Sequence, residues 1–489
     1  MAQIKKSISV FVALVLLFGA AVVPSAAASA RTTQEAWDAY YANDPAVSAG
    51  VVLTPGSDES ERYLSWYTAA ADGNEAVLTE NGANETVVKA DTVQTLQGDY
   101  RARLVFRGLK AGTDYSYVVK SGDGQAYGPY SFTTLSGNDF TALYVTDIHV
   151  SEEEPNEDGV IAKPLSQYAY RFHETVEAAA EKAGSLDLIL SAGDQASSGL
   201  RSEYTALAAS PALKSVPFAM TIGNHDRKHV DYRFFKWQPN AYKMLVSQYI
   251  GGDYWFVKGD ALFLVFDSNN GSAIDHRNFA RRACRLNPSV KWRVAMFHHD
   301  LYGQRIPHRE SENELLRQVW APICDEFGVD LCLLGHSHYY TLSNVLYNQK
   351  TVTDIHELDG VTDPKGTLYM VSGSINRPRE IAEDTPVGDR VGKYYDTEDV
   401  IYNILAFSDS ALTIRSYTLE GDELFNTFTI QKTSAAGGHV YRTAQWYNPF
   451  IRVIGTIYAV FNNMGKYSDY KELGLDVKFF DIVFGGGNG

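Results

Sequence analysis

Residues 311–340 read SENELLRQVWAPICDEFGVDLCLLGHSHYY. The first eighteen residues carry the apolar spacing of a helix and end at Gly328; VDLCLLG then reads as a buried strand. That strand stops on His336 and His338, side chains that a core does not want. The same unit occurs earlier, where RFHETVEAAAEKA (171–183) is followed by LDLILSAG. Alternation of this kind from Phe140 to about Lys432 argues for an α/β domain. Two runs sit back to back in DYWFVKGDALFLVFDSN (253–269), so part of the sheet is expected to be antiparallel, and residues 400–432 read as a terminal meander.

Four further apolar runs end as the first one does. FTALYVTDIHV (140–150) ends on Asp147 and His149, LDLILSAGDQ (186–195) on Asp194, and SVPFAMTIGNHD (215–226) on Asn224, His225 and Asp226. VKWRVAMFHHD (290–300) ends on His298 and His299. Six of the twelve histidines fall at these ends, which is where open α/β sheets place their sites. The i, i+2 spacing of Asp147/His149 and His336/His338 suits one face of an extended segment. Glycines before Asp194, Asn224 and His336 permit tight turns and close backbone approach. Imidazole, carboxylate and amide oxygen together suit Zn, Fe or Mn rather than Ca. So many donors exceed what one tetrahedral ion needs, and two ions sharing a carboxylate is the economical reading.

The front of the chain has a different texture. From Gly50 to Thr134 short alternating runs (YLSWYTA, ETVVKA, ARLVFRGL, DYSYVVKS, YSFTTL) are separated by turn residues, an all-β sandwich pattern. Leu109 to Tyr115 looks like a tyrosine corner, and Trp66 would supply a buried aromatic. Residues 1–30 read as a leader: Lys5 and Lys6, an apolar run, then small residues ending Ala28-Ser29-Ala30. The expected division is therefore 1–30 signal peptide, 31–135 sandwich, 138–432 catalytic domain and 433–489 tail. In the tail, Phe450, Ile451, Ile454, Ile457, Tyr458 and Phe461 form a helical stripe, too interrupted for a membrane span but suited to packing on the body or to envelope or membrane contact.

Composition narrows the classes. A formal charge of −16 and a pI near 5.2 argue against general nucleic-acid binding. Small phosphorylated substrates stay compatible where metal ions supply local positive charge. Three cysteines are too few for a disulfide scaffold, and Cys332 sits inside an apolar run and reads as core. With the short leader, these features point to an extracytoplasmic protein, secreted or at the surface of a bacterial cell.

The motif set D147-x-H149, G193-D194, G223-N224-H225-D226, H298 and G335-H336-x-H338 resembles that of the calcineurin-like metallophosphoesterase superfamily, over about residues 140–430. The sandwich, with Y115-S-Y117 and S131-F-T-T134, resembles the N-terminal domain of purple acid phosphatases. The resemblance implies an α/β (α+β) four-layer sandwich preceded by an all-β, fibronectin type III-like sandwich. It implies one ion held by Asp147, His149, Asp194 and His338 and a second by Asp194, Asn224, His298 and His336. His225 would stand at the leaving group as acid, with Asp226 orienting its ring. His299, Arg227, Tyr302 and Arg377 are candidate substrate contacts, and Lys228 and His229 either meet phosphate or form a solvated loop.

The implied chemistry is attack of metal-activated water on a phosphate ester, a monoester by analogy with the front domain. A phosphodiesterase acting on nucleotides or phospholipid headgroups is the alternative within enzymes; a non-catalytic metal-binding surface or adhesion protein is the alternative outside them. Purple enzymes carry Gly where His149 stands and a metal-binding Tyr where Ser197 stands, so no purple colour is expected here. Asp300 replaces the Pro common after the paired histidines and is expected to alter the substrate mouth.

Overall fold

The computed structural model describes residues 31–155, 161–243, 246, 250–303, 310–380, 388–433 and 449–484. The expected leader lies outside them. Residues 52–133 form two four-stranded antiparallel sheets. One runs Val52–Pro55, Glu61–Thr68, Tyr100–Arg107, Asp91–Gln94; the other runs Asn84–Lys89, Glu75–Glu80, Asp114–Lys120, Ala126–Thr133. Alternate residues of both face one core, in which Leu64, Trp66, Phe106, Tyr117 and Phe132 meet. The tyrosine corner is present: the Lys110 backbone N–H donates to Tyr115 Oη at 2.9 Å.

The larger part contains two seven-stranded sheets packed face to face. In the first, Phe218–Met220, Leu188–Ser191 and Phe140–Val145 run parallel, and Ile401–Phe407, Ala411–Thr418 and Phe428–Gln431 continue the sheet as an antiparallel meander, with Gly360–Thr362 at its edge. In the second, Ala261–Val265, Trp292–Met296, Leu331–Leu334 and Leu368–Val371 are parallel. Tyr254–Lys258 adds antiparallel at one edge, and Tyr340–Ser343 with Val391–Tyr395 at the other.

The unbroken apolar runs follow from this layering, because the central strands of each sheet are buried on both faces. Within 140–145, Phe140, Ala142 and Tyr144 point between the sheets, while Leu143 and Val145 point outward to helix Leu165–Ala183. Leu331 and Leu333 likewise point inward, and Cys332 and Leu334 pack under helices Ala273–Leu286 and Glu310–Phe327. The outcome is the expected helix–sheet–sheet–helix sandwich. All three cysteines are free and buried.

The small sandwich docks on the large one through two hydrogen bonds to backbone carbonyls and an ion pair. Tyr117 Oη donates to the Lys214 carbonyl at 2.6 Å, Thr54 Oγ1 to the Trp237 carbonyl at 2.6 Å, and Lys258 Nζ lies 2.9 Å from Glu59 Oε1.

The tail forms helix Pro449–Glu472, which packs on the catalytic domain through Ala459 and Tyr470. It crosses residue 271 so closely that a Cβ on Gly455 would sit 2.4 Å from the Gly271 carbonyl oxygen. The opposite face exposes Val453, Ile454, Ile457, Tyr458 and Phe461. Among the described residues no helix is long and apolar enough to cross a membrane.

Candidate metal centre

The parallel strands of both sheets end on the same side, and the loops that follow them converge. Side-chain alternation is not what brings the paired ligands together. Asp147 and His149 lie beyond the end of their strand, with φ of 48° and 50°; Asp194, His336 and His338 have φ of 50°, 75° and 68°. Five of the ten described non-glycine residues with positive φ are thus in this one cluster, so backbone strain is concentrated there. The expected extended i, i+2 geometry is replaced by left-handed turns, which splay His336 and His338 into different groups. The glycines are required by space: a Cβ on Gly223 would lie 2.0 Å from Asp194 Oδ1, and one on Gly335 2.0 Å from Thr146 Oγ1.

Two groups of donors result. Asp147, His149 and His338 form the first, with His149 Nε2 3.1 Å and Asp147 Oδ1 3.2 Å from His338 Nε2. Asp194, His298 and His336 form the second. Here His298 Nε2 lies 3.3 Å from Asp194 Oδ2, 3.1 Å from Asn224 Oδ1 and 3.3 Å from His336 Nδ1. Asp194 Oδ2 also lies 3.7 Å from His149 Nε2, so one oxygen faces both groups. All seven expected ligands are brought together.

The donor chemistry fits two cations. His338 Nδ1 donates to the Arg377 carbonyl at 2.8 Å, and His298 Nδ1 to the Ala192 carbonyl at 2.9 Å. Such anchors aim Nε2 inward. The inward-facing atoms are then imidazole nitrogens, carboxylate oxygens and an amide oxygen, which repel one another unless positive charge lies between them. Asp147 Oδ1 is buried without a hydrogen bond.

Electrostatics of the protein alone express the same demand. Burial pushes His149 down to about 3. Burial also disfavours charge on His298, yet the Asp194 carboxylate outweighs it and holds the imidazole at about 9. Burial would raise Asp194, but His298 and its neighbours keep it well below the usual carboxylate range. A proton holds the Asp194–His298 pair together where a metal ion would.

His225 stands beside this centre. Its ring is 4.7 Å from that of His149, and its backbone N–H donates to Asp194 Oδ1 at 2.8 Å. Asp226 does not orient the ring, contrary to expectation. Its buried carboxylate accepts from the backbone N–H groups of Gly223 (2.9 Å) and Ala196 (3.2 Å) and from Tyr204 Oη (2.9 Å). It therefore ties the turn carrying Asn224 and His225 to the turn carrying Asp194. The His225 ring is held instead by the Ser197 carbonyl, 2.7 Å from Nδ1, with Lys228 Nζ 2.7 Å from the same nitrogen. Sequence reading left Lys228 undecided between phosphate contact and solvated loop, and only the turn geometry reveals its place.

Other expected substrate contacts are corrected. Arg227 turns to the tail, donating to the Asn269 carbonyl at 3.3 Å and Asn463 Oδ1 at 3.2 Å. Tyr302 is core: it is 4% exposed and packs edge-on to Tyr369 at 4.7 Å. His299 is buried against His336, with Nδ1 2.8 Å from Ser268 Oγ, and so supports a ligand rather than facing the substrate mouth. Asp300 is buried too; it accepts from Ser337 Oγ at 2.6 Å and fixes the loop between His336 and His338 rather than the mouth. His229 pairs with Asp231 at 2.9 Å. Arg377 keeps an exposed side chain while its backbone anchors His338.

Comparisons with known proteins agree with this geometry. Residues 140–340 match the calcineurin-like phosphoesterase family, and residues 49–134 match the purple acid phosphatase N-terminal domain. No curated protein matches the sequence. Among solved structures, the chain is similar to purple acid phosphatase PPD1 from yellow lupin (Lupinus luteus) seeds, with TM-score 0.63 and 13% identity over 81% of this chain and 77% of that one. Weaker likenesses are to a conserved uncharacterized protein of Streptococcus pneumoniae (TM-score 0.27, 13% identity, 60% of this chain and 98% of that one) and a dimetal phosphatase from Danio rerio (TM-score 0.32, 12% identity, 60% and 98%). The lupin likeness is one of fold; the family match and the convergent donors carry the chemistry. The chain is a metal-dependent phosphoesterase with a calcineurin-like catalytic domain behind a sandwich of the purple acid phosphatase N-terminal type.

Proposed function

We propose that this protein is an exported hydrolase of phosphate monoesters. The observation that carries the reading is the placement of Asp194 Oδ2 between the two donor groups, 3.3 Å from His298 Nε2 and 3.7 Å from His149 Nε2. Two metal ions, one held by Asp147, His149, Asp194 and His338 and one by Asp194, Asn224, His298 and His336, would lower the pKa of water and offset charge on the phosphate oxygens. The chain's own residues do the rest. Asp194 fixes the spacing of the two groups and, through its other oxygen, the backbone of His225. The Ser197 carbonyl occupies Nδ1 of His225, so Nε2 is the nitrogen left to pass a proton to the leaving oxygen. Asp226 keeps the two turns in register.

Preference for monoesters is supported by the type of the front domain, and export by the leader-like residues 1–30. The test is hydrolysis of a chromogenic phosphomonoester and the matching diester by protein loaded with Mn, Zn or Fe. Monoester turnover that is lost in Asp194→Ala supports the proposal. Equal activity in Asp194→Ala and the parent chain contradicts it, and faster diester turnover reassigns the substrate.

A further inference from the structure

The turn that carries His225 also carries a cation, Lys228, and the loop that anchors His338 carries a second, Arg377. Lys228 Nζ sits 2.7 Å from His225 Nδ1 and 2.8 Å from the Ser197 carbonyl. The ammonium donates to the Ser197 carbonyl, which also holds the acid, and the residue is exposed. The backbone of Arg377 stands at the first donor group: its carbonyl anchors His338 and its N–H is held by Ser374 Oγ at 3.0 Å, while its side chain is exposed. Asp194 meets the His225 backbone N–H at 2.8 Å but belongs to the metal centre, and the other carboxylates near this rim are held by hydrogen bonds. Glu203 accepts from the backbone of Ser198, Leu200 and Glu152, Glu152 from Ser202, and Asp226 from the turns described above. Like charges gathered around the proton donor are unfavourable unless an anion joins them.

We propose that the substrate carries a second negative charge on its leaving group, held by Lys228 and Arg377 while His225 protonates the departing oxygen. This rests on the phosphomonoesterase reading above and narrows its substrate class to phosphorylated hydroxy acids and phosphoanhydrides. In the reaction the oxygen of water bonds to phosphorus, the bond from phosphorus to the leaving oxygen breaks, the leaving oxygen takes the proton from His225, and the proton given up by the water restores His225. The products are inorganic phosphate and an anionic alcohol, or two phosphates. Lys228 is the residue that sets this preference; Arg227, its neighbour, is committed to the tail.

The metal-loaded full chain would be given phosphoglycolate, inorganic pyrophosphate and ethyl phosphate. Phosphoglycolate and ethyl phosphate differ chiefly in the charge of the leaving alcohol; pyrophosphate separates an anhydride preference from a carboxylate one. The expected kcat/KM for phosphoglycolate exceeds that for ethyl phosphate by about tenfold or more at low salt, and the ratio falls toward one in K228Q/R377Q and as salt is raised. A ratio near one in the parent chain, or one unchanged in the double variant, overturns the inference while leaving the monoesterase reading intact if ethyl phosphate is cleaved. If none of the three is cleaved, the monoesterase reading itself fails and this inference falls with it.

Discussion

Asp194 Oδ2 lies 3.3 Å from His298 Nε2, and this pair is the electrostatic hinge of the site. A ligating imidazole must be neutral, yet His298 is held at about 9 by Asp194. Metal therefore has to displace a proton at neutral pH. Apparent affinity is expected to fall about tenfold for each pH unit below 9 that His298 alone controls, as measured by competition with a calibrated chelator. A pH-independent affinity between 6 and 9 would contradict the assignment of His298 as ligand.

The same pair sets how the metal-free protein responds to pH. The raised value of His298 contributes stability that is present below the ordinary imidazole range and lost as pH rises through about 9. The lowered value of Asp194 contributes stability that is present above the ordinary carboxylate range and lost as pH falls through its depressed value. The contribution of this pair to the melting temperature of chelated protein is thus expected to be greatest in mildly acidic buffer, opposed there by His149, whose depressed value of about 3 costs stability below the ordinary imidazole range, and loading with metal should move the optimum upward in pH. Thermal melts of both forms across pH check this.

His225→Ala is expected to lower turnover by roughly 10² to 10⁴ with alkyl phosphates, whose leaving oxygen needs a proton. The loss should be much smaller with a nitrophenyl ester, and metal content should not change. An equal loss on both substrates would assign His225 to the metal rather than to the leaving group.

Asp226→Asn tests the staple between the two turns. All the partners named for the carboxylate are donors, so an amide nitrogen would face a donor where an oxygen now accepts. A loss of about 1–3 kcal/mol in stability is expected from the mispaired buried group, with weakened metal retention following from the displaced turns. Denaturant unfolding and metal analysis of the variant measure the two effects separately.

The tail bears on the same loop. Tyr470 Oη donates to the Arg227 carbonyl at 2.9 Å, two residues from His225. Gly455→Val would force a side chain into the Gly271 backbone, at a cost of about 1–3 kcal/mol for overpacking. Proteolysis of the tail is expected to accelerate in this variant, with turnover falling more than metal content. Unchanged activity after cleavage of the tail would show that the catalytic turn does not depend on it.

The convergent donors were legible because each stands directly after an apolar run, where a core-forming strand has no use for His, Asn or Asp. The four layers were legible for a related reason: runs such as LILSAG and LCLLG are apolar on both faces because both faces are covered. What sequence spacing misplaced was orientation. Asp147/His149 and His336/His338 have strand spacing but sit in left-handed turns, packed so closely that Gly335 has no room for a Cβ against Thr146 and Asp147. Arg227, Tyr302 and His299 lie within four residues of ligands yet turn away, toward the tail helix, Tyr369 and Ser268. Those partners are distant in sequence, and no local pattern announces them. Lys228 became readable only once Ser197 was seen to meet His225.

The central claim is that seven side chains from five loops hold two cations that share Asp194. Anomalous diffraction from crystals grown with Mn tests it most directly. Two peaks are predicted, one among Asp147, His149 and His338 and one among Asn224, His298 and His336, with Asp194 between them. A single peak, or peaks away from Asp194, would contradict it.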